Sequence, residues 1–234
     1  MQPELQPIQG NVPTSAQERS LRQNQVLRNT YWLLAVTLIP TAIGAVIGTN
    51  LNLSFLRSSP IISFVVILAV FYGWIFAIEK NRNSGLGVAL LLGFTLFLGL
   101  LLGPLLQSVL GLRNGAQLVM LAAGGTAAVF FGLAAVASTT KRDLGGLGKF
   151  LIVGAIVIML AVVANVFFAS PLLHLVILGA FVLFSSLIIL WQINSIVRGG
   201  ETNYVSATLT LYVAIYNLFS SLLQLLGIFG GDRD

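Results

Sequence analysis

Residues 199–227 read GGETNYVSATLTLYVAIYNLFSSLLQLLG, a short polar loop that becomes an apolar run long enough to cross a bilayer. The run carries an unusual load of polar groups: Asn203, Tyr204, Ser206, Thr208, Thr210, Tyr212, Tyr216, Asn217 and Gln224. An unpaired amide or hydroxyl is costly in hydrocarbon, so a helix this polar belongs inside protein rather than against lipid. The stretch therefore predicts a central last helix, wrapped by the others. Tyr204, Thr208, Tyr212 and Tyr216 recur every four residues, and Thr210, Asn217 and Gln224 every seven, which lays them along separate helical stripes. Two roles are open to the inner members, Thr210, Tyr212, Tyr216 and Asn217: hydrogen bonds between helices, or the polar lining of a buried cavity or pore. Upstream, Gly199-Gly200 before Glu201-Thr202-Asn203 predicts a tight turn and a helix start capped by Thr202 or Asn203. No P-loop lysine follows the glycine pair, so a phosphate site is not expected there.

Composition places the rest of the chain in the same environment. Of 234 residues, 57% are hydrophobic and 8% charged, against about 25% charged in soluble domains. With a mean hydropathy of +0.96 this is a polytopic membrane protein. There is no cysteine, which excludes disulfides, thiolate metal sites and cysteine nucleophiles. A single histidine, His174, excludes an HExxH zinc site. The net charge of +5 reports topology rather than nucleic acid, for which no binding is expected.

Seven apolar runs are each close to the roughly 20 residues that span a bilayer: 31–49, 60–78, 86–107, 116–138, 150–169, 172–193 and 204–228. The expected fold is an all-α integral membrane protein, a seven-helix bundle with the last helix central. Arg19, Arg22, Arg28, Lys80, Arg82, Lys141, Arg142, Lys149 and Arg198 fall on one side, and Arg57, Arg113 and Arg233 on the other. Nine positives against three put the N-terminus in the cytoplasm and the C-terminus outside. Residues 1–30 are expected to form a flexible basic cytoplasmic tail, 31–228 the transmembrane domain, and 229–234 a short outward tail. No basic residue precedes an apolar core in the opening stretch, so a secretory signal is not expected. Gly99 with Gly103, and Gly124 with Ala128 and Gly132, have the four-residue spacing that lets backbones approach closely. Pro40 and Pro104 should kink or break their helices.

Chemistry is conspicuous for what is missing. No Asp, Glu, Lys or Arg falls in the middle of a span, so neither an aspartyl intramembrane protease nor an ionisable ion pathway has candidates. Ser185 and Ser186 lie eleven and twelve residues beyond His174, about 16 to 18 Å along one helix, too far to hydrogen-bond. Ser220 and Ser221 are not excluded by spacing, but no context marks an activated nucleophile. His174 reads as an interfacial or capping residue. No catalytic, cofactor-binding or metal-binding residue, and no cofactor, is expected.

The quoted stretch also resembles the closing segment of the Bax inhibitor-1 (transmembrane Bax inhibitor motif) family, where a Gly/Glu/Asn-Tyr loop leads into Tyr-x-x-x-Asn-Leu-Phe. The resemblance continues through QNQVLRNTYWLLAVTL (23–38), GGTAAVFFGLAA (124–135), TTKRDLGGLGKFL (139–151) and VANVFFASPLLHL (163–175). Within the family, the RNTYWLL start (28–34), the STTKRDL loop (138–144) and the GGETNY loop (199–204) are most similar to the bacterial YccA branch. That resemblance implies a seven-helix fold in the bacterial inner membrane, with the C-terminus in the periplasm. It further implies a non-enzymatic modulator of the membrane-anchored AAA protease FtsH, an inhibitor and competing substrate, whose partners are the FtsH complex and the lipid bilayer. The alternative the family offers is a calcium or proton leak controlled by a pair of aspartates. Here the corresponding positions are Gln192 and Ala214, which cannot titrate, so the leak is disfavoured.

Overall fold

The computed structural model describes residues 15–51, 60–140 and 142–231. Nearly all of them lie in seven helices: α1 (Ser15–Asn50), α2 (Pro60–Lys80), α3 (Gly85–Leu110), α4 (Gly115–Thr139), α5 (Leu147–Phe168), α6 (Pro171–Arg198) and α7 (Tyr204–Gly230). Each is long and apolar enough to cross a membrane, and no strand occurs among the described residues. The expected spans are these helices, with ends displaced by a few residues.

The start of α1 is the larger departure. It begins at Ser15, so residues 15–30, expected within a flexible tail, are helical; residues 1–14 lie outside the described residues. Thirty-six residues make a helix of about 54 Å, against a hydrocarbon core of about 30 Å. The segment before Tyr31 therefore projects beyond the bilayer, carrying exposed Arg19, Arg22 and Arg28. We call this the near end of the bundle. Pro40 and Pro104 lie inside α1 and α3 and interrupt neither helix.

α7 occupies the centre and packs against α1, α2, α3, α4 and α6, while α5 packs along α6 and buries only Leu151. The main core gathers Ile78, Leu91, Phe94, Ile189, Ile193, Val205, Leu211 and Leu218 around the last helix. A smaller cluster of Val109, Leu118, Ala122 and Leu223 closes the far end. Outward, Trp32, Phe76, Phe131 and Leu183 are each about 70% exposed, an apolar surface that a bilayer covers and water would not.

The tightest contact joins α1 to α3, and glycines make it. A methyl group built on Gly44 would strike the carbonyl oxygen of Leu96, and one on Gly48 that of Leu100. From the other side, Gly99 faces the carbonyl oxygen of Thr41 and Gly103 the backbone of Gly48. Two GxxxG pairs thus interlock, with backbone against backbone. Gly99 and Gly103 were expected to permit close approach; Gly44 and Gly48 complete the contact. The matching expectation for α4 is corrected: Gly124, Ala128 and Gly132 are exposed, and a methyl at Gly124 or Gly132 meets nothing within 4 Å. The buried face of α4 is instead Leu118, Ala122, Thr126 and Phe130, which turns the glycine stripe outward.

Candidate functional site

The loop that opens α7 is held by its own polar residues. α6 ends at Gly199, whose φ of +78° is a left-handed cap, and the N–H groups of Gly199 and Gly200 return to Ile196 and Ser195. Of the two cap candidates it is Asn203 that caps α7. Its Oδ1 accepts from Val205 N (2.9 Å) and Ser206 N (3.2 Å). Its Nδ2 donates to Asn83 Oδ1 (2.7 Å) and Arg82 O (3.3 Å), which ties the loop to the α2–α3 turn. Ser206 Oγ donates to the Glu79 carboxylate at 2.9 Å, and Arg82 reaches the same oxygen at 3.4 Å. Glu79 thereby sits at the positive end of the α7 dipole. Both members of the Glu79–Arg82 pair are more than a third exposed, so the ion pair adds little stability and the cluster serves mainly to place the loop.

A third of the way along α7, the Tyr212 hydroxyl lies 2.7 Å from Thr41 Oγ1 and 3.3 Å from the Thr95 carbonyl. Thr41 Oγ1 also lies 2.7 Å from the Thr37 carbonyl. Two hydroxyl hydrogens serve these three contacts. Because one hydroxyl of the 2.7 Å pair donates to the other, either Thr41 donates to Thr37 and Tyr212 to Thr41, or Tyr212 donates to Thr95 and Thr41 to Tyr212. In both arrangements α1 and α7 are joined, and Tyr212 is only 2% exposed. The other expected residues divide. Thr210 donates to the Ser206 carbonyl of its own helix (3.0 Å), the Tyr216 ring lies tilted at 6.4 Å from that of Tyr212, and Asn217 lines a cavity towards the far end. Thr208 donates to Tyr204 O at 2.6 Å, with Thr30 O of α1 at 3.4 Å.

Gln192 and Ala214 are both buried, at 2% and 1% exposure. The Gln192 Nε2 has no hydrogen-bond partner among the described residues. Two residues further along α6, buried Asn194 anchors the α4–α5 loop. It accepts from Leu144 N (3.0 Å) and donates to the carbonyls of Arg142 (3.3 Å) and Ala137 (3.4 Å). Arg198 donates to the Thr140 carbonyl at the end of α4 (3.2 Å). Neither Asn194 nor Thr41 and Thr95 stands out in sequence, because a single amide or hydroxyl in an apolar run does not name its partner.

Among the described residues two recesses in the bundle stand out. Towards the far end, a cavity of about 260 Å³ between α5, α6 and α7 is lined by Asn165, His174, Asn217, Ser220, Ser221 and Gln224 among others. His174 Nε2 pairs with Gln224 Oε1 at 3.2 Å, whereas Ser220 donates to the Asn217 carbonyl. His174 and these serines share a cavity, but the hydrogen bonds bypass a serine–histidine pair. The second recess, of about 510 Å³, is apolar and lies between α1 and α4 over α7.

Seven membrane-length helices, the last of them hydrogen-bonded at the centre, define a polytopic helical membrane protein. The chain belongs to the Bax inhibitor-1 family: the family model described as inhibitor of apoptosis-promoting Bax1 matches residues 23–231. An uncharacterised protein of Neisseria meningitidis serogroup A is 47% identical over 91% of this chain and 95% of its own. One from Pseudomonas aeruginosa is 45% identical over 88% of this chain and 90% of its own. The Escherichia coli K12 protein named modulator of FtsH protease YccA is 41% identical over 94% of this chain and 99% of its own.

Proposed function

We propose that this chain modulates the membrane-anchored protease FtsH in the bacterial inner membrane, acting as an inhibitor and as a competing substrate. The observation that carries the proposal is its near full-length likeness to the E. coli K12 protein named as such a modulator. The near end faces the cytoplasm and the C-terminus the periplasm, supported by nine Lys and Arg on the near-end side against three on the other. In this reading 1–30 is the cytoplasmic segment, 31–228 the membrane domain and 229–234 the periplasmic end.

The fold supplies a physical route to inhibition. A protease that extracts membrane proteins from a terminus engages the N-terminal segment and then pulls on α1. That helix has the tightest backbone contact in the bundle, at Gly44 and Gly48, and is bonded to α7 through Thr41 and Tyr212. Extraction meets its greatest resistance first, so the protease is held on a substrate that yields slowly. The family's other activity, a calcium or proton leak, has non-ionisable Gln192 and Ala214 at the aspartate positions.

Deleting residues 2–17 tests the route. The truncated protein should be degraded more slowly by FtsH and should spare other membrane substrates less well. Unchanged turnover together with unchanged inhibition refutes the role of the segment. Absence of FtsH from the protein purified out of native membranes refutes the partnership itself.

A further inference from the structure

Between α1 and α4 the bundle is open to its surroundings. The two helices do not pack along one another, and the groove between them has Ile215 and Phe219 of α7 as its floor. Its α1 wall extends from Tyr31 to Leu38 and its α4 wall from Ala123 to Ala134. At about 510 Å³ it falls within the 300–1,000 Å³ range of ligand sites, and it is almost wholly apolar.

Three registers place this groove in the bilayer. Tyr31 lines its near-end mouth and the next residue, Trp32, is exposed, the level at which amphipathic rings meet the headgroups. Tyr31 meets Phe130 edge to face at 6.1 Å, which sets the height of α4 against α1. From Ala134 to Ala123 the α4 wall covers eleven residues, about 16 Å, and one leaflet of a 30 Å hydrocarbon core is about 15 Å. The groove is one leaflet deep. Above its mouth, Arg28 lies three residues before Tyr31 and seven before Ala35, on the same stripe of α1, and is exposed. Arg22 follows on the projecting segment, α4 carries no charged residue, and the sole acidic residue of α1 is Glu18, ten residues away from Arg28.

We propose that this groove holds an acyl chain of one anionic phospholipid from the near-end leaflet, with its phosphate at Arg28. An apolar slot of leaflet depth takes the chain, and a cation that makes no ion pair among the described residues stands beyond its mouth to select the charge. The orientation given above makes this the cytoplasmic leaflet, and the site stands independently of any action on FtsH.

The test compares wild type with Ala127→Phe, which fills the groove, Arg28→Gln, Arg28→Lys, and Val153→Phe, which adds a ring to the exposed face of α5. Each full-length protein is purified from membranes containing phosphatidylglycerol and phosphatidylethanolamine. Retained lipid is then counted by native mass spectrometry and extraction. Wild type, Arg28→Lys and Val153→Phe should retain about one phosphatidylglycerol per chain, and Ala127→Phe should lose it. Arg28→Gln should keep a lipid but lose about fivefold in preference for phosphatidylglycerol, the effect of one basic residue at a charged membrane surface. Equal retention in Ala127→Phe, an unchanged preference in Arg28→Gln, or a wild type without lipid overturns the proposal. So does a second polypeptide cross-linked at position 127. Should Ala127→Phe fail to fold, the Arg28 pair still decides.

Discussion

The interlocked glycines of α1 and α3 allow a sharp prediction about what holds this bundle together. A methyl group added at Gly103 runs into the backbone of Gly48, and backbone cannot rotate away as a side chain can. Overpacking of this kind costs about 1–3 kcal/mol, and contact with backbone places Gly103→Ala at the upper end. Replacing glycine by alanine inside a helix returns about 1 kcal/mol of intrinsic propensity. The net expectation is a loss of about 2 kcal/mol. Gly124→Ala is the internal control, because its methyl meets nothing within 4 Å and only the favourable propensity of up to about 1 kcal/mol remains. The two variants should therefore differ by about 3 kcal/mol despite identical chemistry. Titration with SDS from mixed micelles, followed by tryptophan fluorescence, reads this as opposite shifts of the unfolding midpoint. Gly48→Ala combined with Gly103→Ala should cost less than the sum of the singles, since both act on one helix separation. If Gly103→Ala unfolds at the same SDS fraction as Gly124→Ala, the α1–α3 contact does not limit unfolding, and the proposed resistance to N-terminal extraction falls with it.

Two further substitutions probe α7. Tyr212→Phe keeps the ring and removes the bonds to Thr41 and Thr95, so a double-mutant cycle with Thr41→Val should give a coupling of about 0.6 kcal/mol, up to about 1.7. Zero coupling in the same titration would mean that the two hydroxyls do not join the helices. Asn203→Ala removes the cap and the tie to Asn83, for a loss of about 1 kcal/mol or more. Asn203→Ser retains the cap alone and should fall between Asn203→Ala and wild type; a serine variant no better than alanine would show that the cap contributes nothing.

Helix number and the central place of α7 were legible from the sequence for one reason: both follow from how costly polar groups are in hydrocarbon. A run of apolar residues must span, and the one run laden with Thr, Tyr and Asn must be surrounded. Partners were less legible. Small-residue spacing states that a backbone may be approached, not that it is, which is why Gly99 and Gly103 are in contact while Gly124 and Gly132 are bare. The polar stripe likewise divided in a way its periodicity did not show, with Tyr212 bonding across to α1 and Thr210 turning back on its own helix. The projecting start of α1 was obscured by the polar residues of 15–30, which lack the hydropathy that marked every other helix.

The helix at the centre of this bundle is also the last one made. Until the ribosome releases residues 204–230, Glu79, Thr41 and Thr95 lack the side chains they meet on α7 in the finished protein. The first six spans can be threaded into the membrane one by one, but their packing cannot be completed before α7 has been made. The closing step is thus the entry of a polar helix into an unfinished ring of apolar ones. Chains that stop short of it leave the membrane holding an open and extractable half-product.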